Sequence, residues 1–204
     1  MYKIQVGKVD RIDSVDEIIK HASKSNKIVV VVSAMGGETN RLVDLAKAFG
    51  DDPDKREFDA LVSTGETVSS ALLTMALHSK GIKAKSFSAS QISMRTTSSY
   101  SKAKILDVDA KKILDVIDSD TIPIITGFQG VTEGGDVTTL GRGGSDTTAV
   151  AIAAQIDAVR CDIYTDVDGI FTTDPGVVPN AKKLDSITME EMLELAGQGA
   201  KVVQ

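Results

Sequence analysis

The sequence predicts an α/β fold on a mostly parallel sheet, and three observations lead there. Short β-branched runs alternate with amphipathic stretches, the run Lys27-Ile28-Val29-Val30-Val31-Val32-Ser33 is apolar without a period-two break, and polar glycine-containing turns follow such runs directly. A strand exposed on one face would alternate, so an unbroken apolar run reads as buried on both faces. Strands interleaved with helices of roughly 10–15 residues pack as a parallel sheet between helical layers.

Each element then follows in order. Glu38 to Phe49 places Leu42, Leu45, Ala46 and Phe49 three and four residues apart, which predicts a helix. Gly50 to Arg56 reads as a charged surface loop, and the apolar pair Leu61-Val62 as a strand end leading into Ser63-Thr64-Gly65-Glu66. Thr67 to His78 is helical by composition, Ala84 to Phe87 a strand, Ala110 to Ile117 a helix, and Thr121 to Phe128 a strand. Val131 to Thr139, with Gly134-Gly135 between β-prone flanks, reads as a hairpin. Asp146 to Gln155 is an Ala-rich helix, Ala158 to Tyr164 a strand, and Thr188 to Ala196 a helix opened by the capping box Thr188-x-x-Glu191. No repeat, low-complexity tract or linker interrupts the pattern, so residues 1–204 are expected to form a single domain.

Composition narrows the function classes. Lys and Arg total 23 against 29 Asp and Glu, a net charge of -6, which argues against a general nucleic-acid binder. Cys161 is the only cysteine, excluding an internal disulfide and a cysteine metal cluster. The start, MYKIQVGKVD, has no secretory apolar region, and no apolar run approaches the ~20 residues of a membrane span. A cytoplasmic protein without membrane partners is the expectation.

In open α/β sheets ligands collect at the carboxyl ends of the strands. Four segments there carry chemistry. Ser33-Ala34-Met35-Gly36-Gly37-Glu38-Thr39-Asn40 lets backbone amides approach an anion at a helix start, or is simply a strand-helix turn with Thr39 near the cap. In Ser63-Thr64-Gly65-Glu66 the carboxylate either complements the helix dipole or receives a substrate ammonium. Leu140-Gly141-Arg142-Gly143-Gly144-Ser145-Asp146 combines a glycine nest at a helix start with a guanidinium fork suited to carboxylate or phosphate. A purely structural loop rarely needs Gly, Arg and Asp so densely. Tyr164 to Pro175 ends a strand in hydroxyl and carboxylate groups that could hold a base and ribose, or be an acidic turn. No Gly-x-x-x-x-Gly-Lys-Ser/Thr exists, and Asp146 sits where a dinucleotide fingerprint needs its last glycine. His21 and His78 are isolated on predicted helices and read as surface residues, and the six methionines as core filling.

Taken together, Val30 to Met35, Leu61 to Glu66, Gly127-Phe128-Gln129-Gly130, Thr138 to Asp146, Tyr164 to Pro175 and Gly199-Ala200-Lys201-Val202 resemble the aspartate kinases of the amino acid kinase superfamily, in family order along nearly the whole chain. The resemblance implies a three-layer sandwich, a central sheet between helices with no P-loop. It implies transfer of the γ-phosphoryl of ATP, with Mg2+, to the side-chain carboxylate of L-aspartate, at the head of lysine, threonine and methionine synthesis. By the same resemblance Ser33, Thr39, Glu66, Arg142 and Ser145 form the aspartate-binding set, Arg142 on the α-carboxylate and Glu66 on the ammonium. Asp146 and Lys201 are the catalytic pair, Asp146 orienting lysines and Lys201 meeting phosphate. Thr165, Asp166, Phe171, Lys201 and Val202 match nucleotide-binding positions, no residue is assigned as a metal ligand, and a homodimer is expected.

Three departures accompany the resemblance. The family's Lys-Phe-Gly-Gly-Thr-Ser is missing, as though cut out between Gln5 and Val6, and Lys8 lies beyond that gap. Its lysine is the family's main catalytic cation, so this sequence is expected to be impaired. Gly176 stands where the family has an arginine that contacts ATP, with Lys182 or Lys183 as possible substitutes. The remainder of the kinase domain and the paired ACT modules are not in the sequence, which ends at Gln204. Rival readings are a superfamily kinase with another acceptor, a non-catalytic nucleotide or amino-acid binder, and a doubly wound domain whose glycines are structural.

Overall fold

The strands are, in chain order, β1 (Tyr2–Lys8), β2 (Lys27–Ser33), β3 (Ala84–Phe87), β4 (Arg95–Thr96), β5 (Ile105–Asp107), β6 (Ile122–Thr126), β7 (Gln129–Val131), β8 (Val137–Thr139) and β9 (Arg160–Ile163). Helices bounded among the described residues are α1 (Glu38–Lys47), α2 (Lys55–Val62), α3 (Thr64–Ser79), α4 (Ala110–Asp118) and α5 (Gly144–Gln155). This computed structural model describes the backbone of residues 2–8, and residues 27–164, 169–173, 177–178, 180–188, 190–192 and 194. The chain divides into two compact units, Met1–Tyr164 and Thr165–Gln204.

The first unit holds a five-stranded sheet in the order β3-β6-β2-β1-β9, every pairing parallel. Its centre shows why β2 reads as one apolar run. Ile28, Val30 and Val32 face a cluster with Leu73 and Leu77 of α3, while Val29 and Val31 face Ile113 and Ile117 of α4 and Ile152 of α5. Successive side chains point to opposite faces, so each face needs its own apolar set. Helices on both faces make the three layers. A smaller sheet, β5-β4-β7-β8, flanks them, its β7–β8 hairpin turning through Gly135 at φ +88. β1 runs through Gln5 and Val6 without a break, opposite Val30 and Val31, and its last residue Lys8 is level with Ser33.

Two sequence expectations are corrected. Leu61-Val62 is helical, the end of α2, because Asp54 caps that helix by accepting from the Glu57 N–H at 3.1 Å. The Asp54-x-x-Glu57 spacing is the N-terminal signature that marks this start. The helix from Glu38 ends at Lys47, leaving Phe49 outside it and 93% exposed, so Phe49 is no core residue. The stretch Lys55–Ser79 is long and apolar enough to cross a membrane by composition. Its Val62, Leu73 and Leu77 are instead packed inside, beside buried Asp59 and Glu66.

In the second unit, residues 170–172 pair with 182–184 through Thr172 N–H to the Lys182 carbonyl at 2.9 Å and Leu184 N–H to the Ile170 carbonyl at 2.8 Å. The capping box forms as expected, Thr188 N–H donating to Glu191 Oε2 at 2.9 Å and Glu191 N–H to Thr188 Oγ1 at 3.2 Å.

Leu73 is 1% exposed between α3 and the sheet. Leu73→Ala is expected to cost about 2–5 kcal/mol of stability through the cavity it leaves, and Phe49→Ala less than about 0.5 kcal/mol, both read by urea denaturation.

Candidate active site

The carboxyl ends of β2 and β6 lie side by side, Val32 opposite Thr126, and the Gly127 N–H continues the ladder to the Val32 carbonyl at 2.9 Å. Three glycines let helices close onto these ends. A Cβ on Gly65 would sit 2.9 Å from Ala34 Cβ, and one on Gly127 2.6 Å from Ser145 Oγ. One on Gly144 would sit 2.8 Å from Phe128 Cδ2 and 3.1 Å from Leu140 Cβ. Real side chains do not tolerate such approaches, so only glycine permits this packing. Phe128 itself is left-handed at φ +67, its N–H donating to Thr148 Oγ1 at 3.2 Å and its carbonyl accepting from Leu140 N–H at 2.9 Å.

Backbone hydrogen-bond donors collect here. α1 and α5 are capped by left-handed Gly37 (φ +79) and Gly143 (φ +67), and neither start has a side-chain cap. By contrast, Asp54 and Asp109 cap α2 and α4 with their carboxylates. A helix start without a side-chain cap presents N–H groups and the positive end of its dipole to an anion.

Glu66, in the first turn of α3, is 3% exposed. Its Oε1 accepts from the Ala34 N–H at 3.0 Å, and its Oε2 is buried without a partner among the described residues. Burial pushes this carboxyl up to about 7, against the smaller opposing pull of the Ala34 N–H and of its own backbone N–H. Thr126 Oγ1, at the end of β6, is likewise buried and without a partner among the described residues. Thr126 carries no signal in the sequence, because the strand read there runs on to Phe128 while β6 ends at Thr126.

The structure brings Ser33, Glu66, Ser145 and Asp146 to the carboxyl side of the sheet. Ser145 is buried against Gly127; Asp146 is partly buried, which raises its carboxyl above the ordinary value. Arg142 is exposed in the turn between Gly141 (φ +81) and Gly143, with no hydrogen bond or ion pair among the described residues. Thr39 is the second residue of α1, not its cap, and partly buried. Of the nucleotide set, Phe171 is described, bridged to Lys183, whose Cε would lie 2.7 Å from a Cβ on Gly169. Thr165, Asp166, Gly176, Lys201 and Val202 lie outside the described residues, as does His21. His78 is exposed, with Nε2 2.8 Å from the Ala84 carbonyl. It borders an open depression of about 420 Å³ at the amino ends of β3 and β6, away from the glycine-rich turns.

A carboxyl raised from 4.5 to about 7 makes the folded state bind the extra proton. Its contribution is therefore present below the ordinary value and lost as pH rises through about 7. Glu66→Gln is expected to gain stability relative to the parent between pH 5 and 8, by up to about 3 kcal/mol at the upper end. Urea denaturation at both pH values reads this; identical pH slopes for the two proteins would contradict it.

Comparison with known proteins places this geometry in a family. The amino acid kinase family model matches residues 6–204. An aspartate kinase of Pseudomonas putida is 54% identical over 200 residues, covering 98% of this chain and 49% of that protein. The chain thus spans about half the length of the curated relatives it matches. Escherichia coli aspartokinase III, solved with aspartate and ADP, superposes with a TM-score of 0.89 at 28% identity, covering 100% of this chain and 58% of that one. Aspartate kinase from Synechocystis gives 0.81 at 41% identity, covering 100% and 34%. The glycine-lined strand ends are those of a kinase fold without a P-loop, and the chain belongs to the amino acid kinase family.

Proposed function

We propose that this chain is the catalytic part of an aspartate kinase, joining the side-chain carboxylate of L-aspartate to the γ-phosphorus of ATP and releasing ADP and 4-phospho-L-aspartate. The observation that carries the reading is the buried Glu66 carboxylate with Oε2 unmatched. A buried carboxylate oxygen without a donor is costly, and an ammonium group supplies both donor and charge. Arg142, unengaged among the described residues, offers the complementary fork for the α-carboxylate. Ser33, Thr39 and Ser145 complete the amino-acid end. An acceptor with an ammonium and two carboxylates matches this donor set better than a phosphate or a nucleotide does.

Phosphoryl transfer between two anions needs positioning and charge neutralisation more than covalent help. The helix starts at Gly37 and Gly143 supply fixed N–H donors. Asp146 orients cationic groups at the phosphoryl, with Lys201 as phosphate ligand. Thr165, Asp166, Phe171 and Val202 hold the nucleoside, and Lys183, beside Phe171, stands in for the arginine replaced by Gly176. ATP brings Mg2+ on its phosphates. Such an ion is held mostly by phosphate oxygens and water. Residues 1–204 are read as kinase catalytic domain sequence, in a cytoplasmic homodimer.

One observation favours a second reading. β1 passes through Gln5–Val6 in unbroken register, so Val6 occupies the strand position where the resemblance calls for lysine. A chain lacking that cation would bind ATP and aspartate with little turnover. ATP consumption with aspartate, acetylglutamate and glutamate as acceptors separates the readings: turnover with aspartate supports the kinase, binding without turnover the second reading.

Arg142→Ala is expected to raise the aspartate requirement by roughly 10- to 150-fold, the worth of a hydrogen-bonded charge pair, and leave the ATP requirement nearly unchanged. Lys201→Ala does the reverse. Equal effects on both substrates remove the assigned roles.

A further inference from the structure

Asp59 is fully buried on α2, and neither composition nor motif marks it. Its carboxylate accepts four hydrogen bonds from two distant segments. Oδ2 takes the Thr139 and Ser101 N–H groups, both at 2.8 Å. Oδ1 takes the Thr139 hydroxyl at 2.9 Å and the Ser101 hydroxyl at 3.1 Å. Thr139 ends β8, three residues before Arg142. Ser101, left-handed at φ +65, puts its carbonyl 3.2 Å from where a Cβ on Gly141 would lie. The Thr139 carbonyl is tied in turn to the Ala103 N–H at 2.9 Å. The strand end that leads into the turn carrying Arg142 and the Ser101 loop that abuts Gly141 are thus pinned to one carboxylate.

The same residue reaches the other end of the site. The Asp59 carbonyl accepts the Ser63 N–H at 3.1 Å, and the Ser63 carbonyl accepts from Gln129 Nε2 at 2.8 Å, at the junction where α2 passes into α3 and Glu66. We infer that Asp59 is a positioning residue that fixes the Arg142 turn relative to the Glu66 helix, and so sets the span between carboxylate and ammonium sites for the amino-acid substrate. The inference builds on the substrate assignment above. Arg142 is exposed and makes no hydrogen bond or ion pair among the described residues, so the precision of its placement comes from the backbone beneath it.

The hydrogen-bond pattern predicts which substitution is tolerated. One Asp59 oxygen meets only backbone N–H groups and the other only hydroxyls. Asparagine can therefore turn its carbonyl to the two N–H groups and donate from its amide to the hydroxyls, which rotate to accept. Alanine leaves all four donors unmatched.

The test compares Asp59→Ala and Asp59→Asn by amide hydrogen exchange and by calorimetric binding of L-aspartate and of ATP. Asp59→Ala is expected to speed exchange at Ser101, Thr139 and Leu140 to Asp146 at least tenfold and weaken aspartate binding at least fivefold, with ATP binding unchanged. Asp59→Asn should stay within about twofold of the parent in all three. A lowered Tm with parent-like exchange in that turn and parent-like aspartate affinity overturns the inference, since Asp59 would then be only a packing residue. If the parent binds no aspartate but Asp59→Ala still loosens the turn, the substrate assignment fails and the positioning role stands. Should Asp59→Ala not fold, the pair Ser101→Ala and Thr139→Val removes only the two hydroxyl donors. That pair is expected to weaken aspartate binding about two- to fivefold, and no change overturns the inference.

Discussion

A carboxylate held in the interior by a single neighbouring backbone N–H dominates the chemistry of this fold. Glu66 gives one oxygen to Ala34 and leaves the other without a donor among the described residues, in the first turn of a helix pressed against the end of the central strand. Left unmatched, such a group is costly, and burial pushes its carboxyl up to about 7. The Ala34 N–H and the residue's own N–H pull the other way but do not offset desolvation. Folding therefore stores an unsatisfied demand for a cationic donor, which a ligand can meet.

The rest of the site is arranged around that demand by close backbone approach. Gly65, Gly127 and Gly144 each stand where a Cβ would collide with Ala34, Ser145 or Phe128. Their absence of side chains brings the starts of α3 and α5 onto neighbouring strand ends, and Gly37 and Gly143 leave the starts of α1 and α5 free of side-chain caps. A chain with net charge -6 can thereby gather anions locally, because fixed N–H dipoles do not depend on overall charge. Preorganised dipoles in a partly dry site are effective in transferring phosphoryl groups between anions.

Much of this was legible from local pattern. The run Ile28 to Val32 announced a doubly buried central strand, and each face has its own apolar cluster. The Gly141 to Asp146 nest and the Thr188-x-x-Glu191 capping box were readable because their physics is contained in a few consecutive residues. What local reading missed depends on distance along the chain. Leu61-Val62 looked like a strand end because the capping residue Asp54 lies seven residues before Leu61. Phe49 fitted a helical spacing, yet the helix stops before it reaches the core. Asp59 is invisible locally, since its partners are 42 and 80 residues away. Thr126 gained meaning only when β6 was seen to end, buried and unpartnered, at the same edge.

The account therefore depends on Glu66 receiving an ammonium. Calorimetric titration of L-aspartate at pH 7, in two buffers of different ionisation enthalpy, counts the protons exchanged on binding. A carboxyl near 7 is about half protonated in the free protein, so its pairing with a cation should release roughly half a proton per aspartate bound. Glu66→Gln should abolish that release. A parent protein that binds aspartate with no proton release, or a release unchanged by Glu66→Gln, would contradict the account.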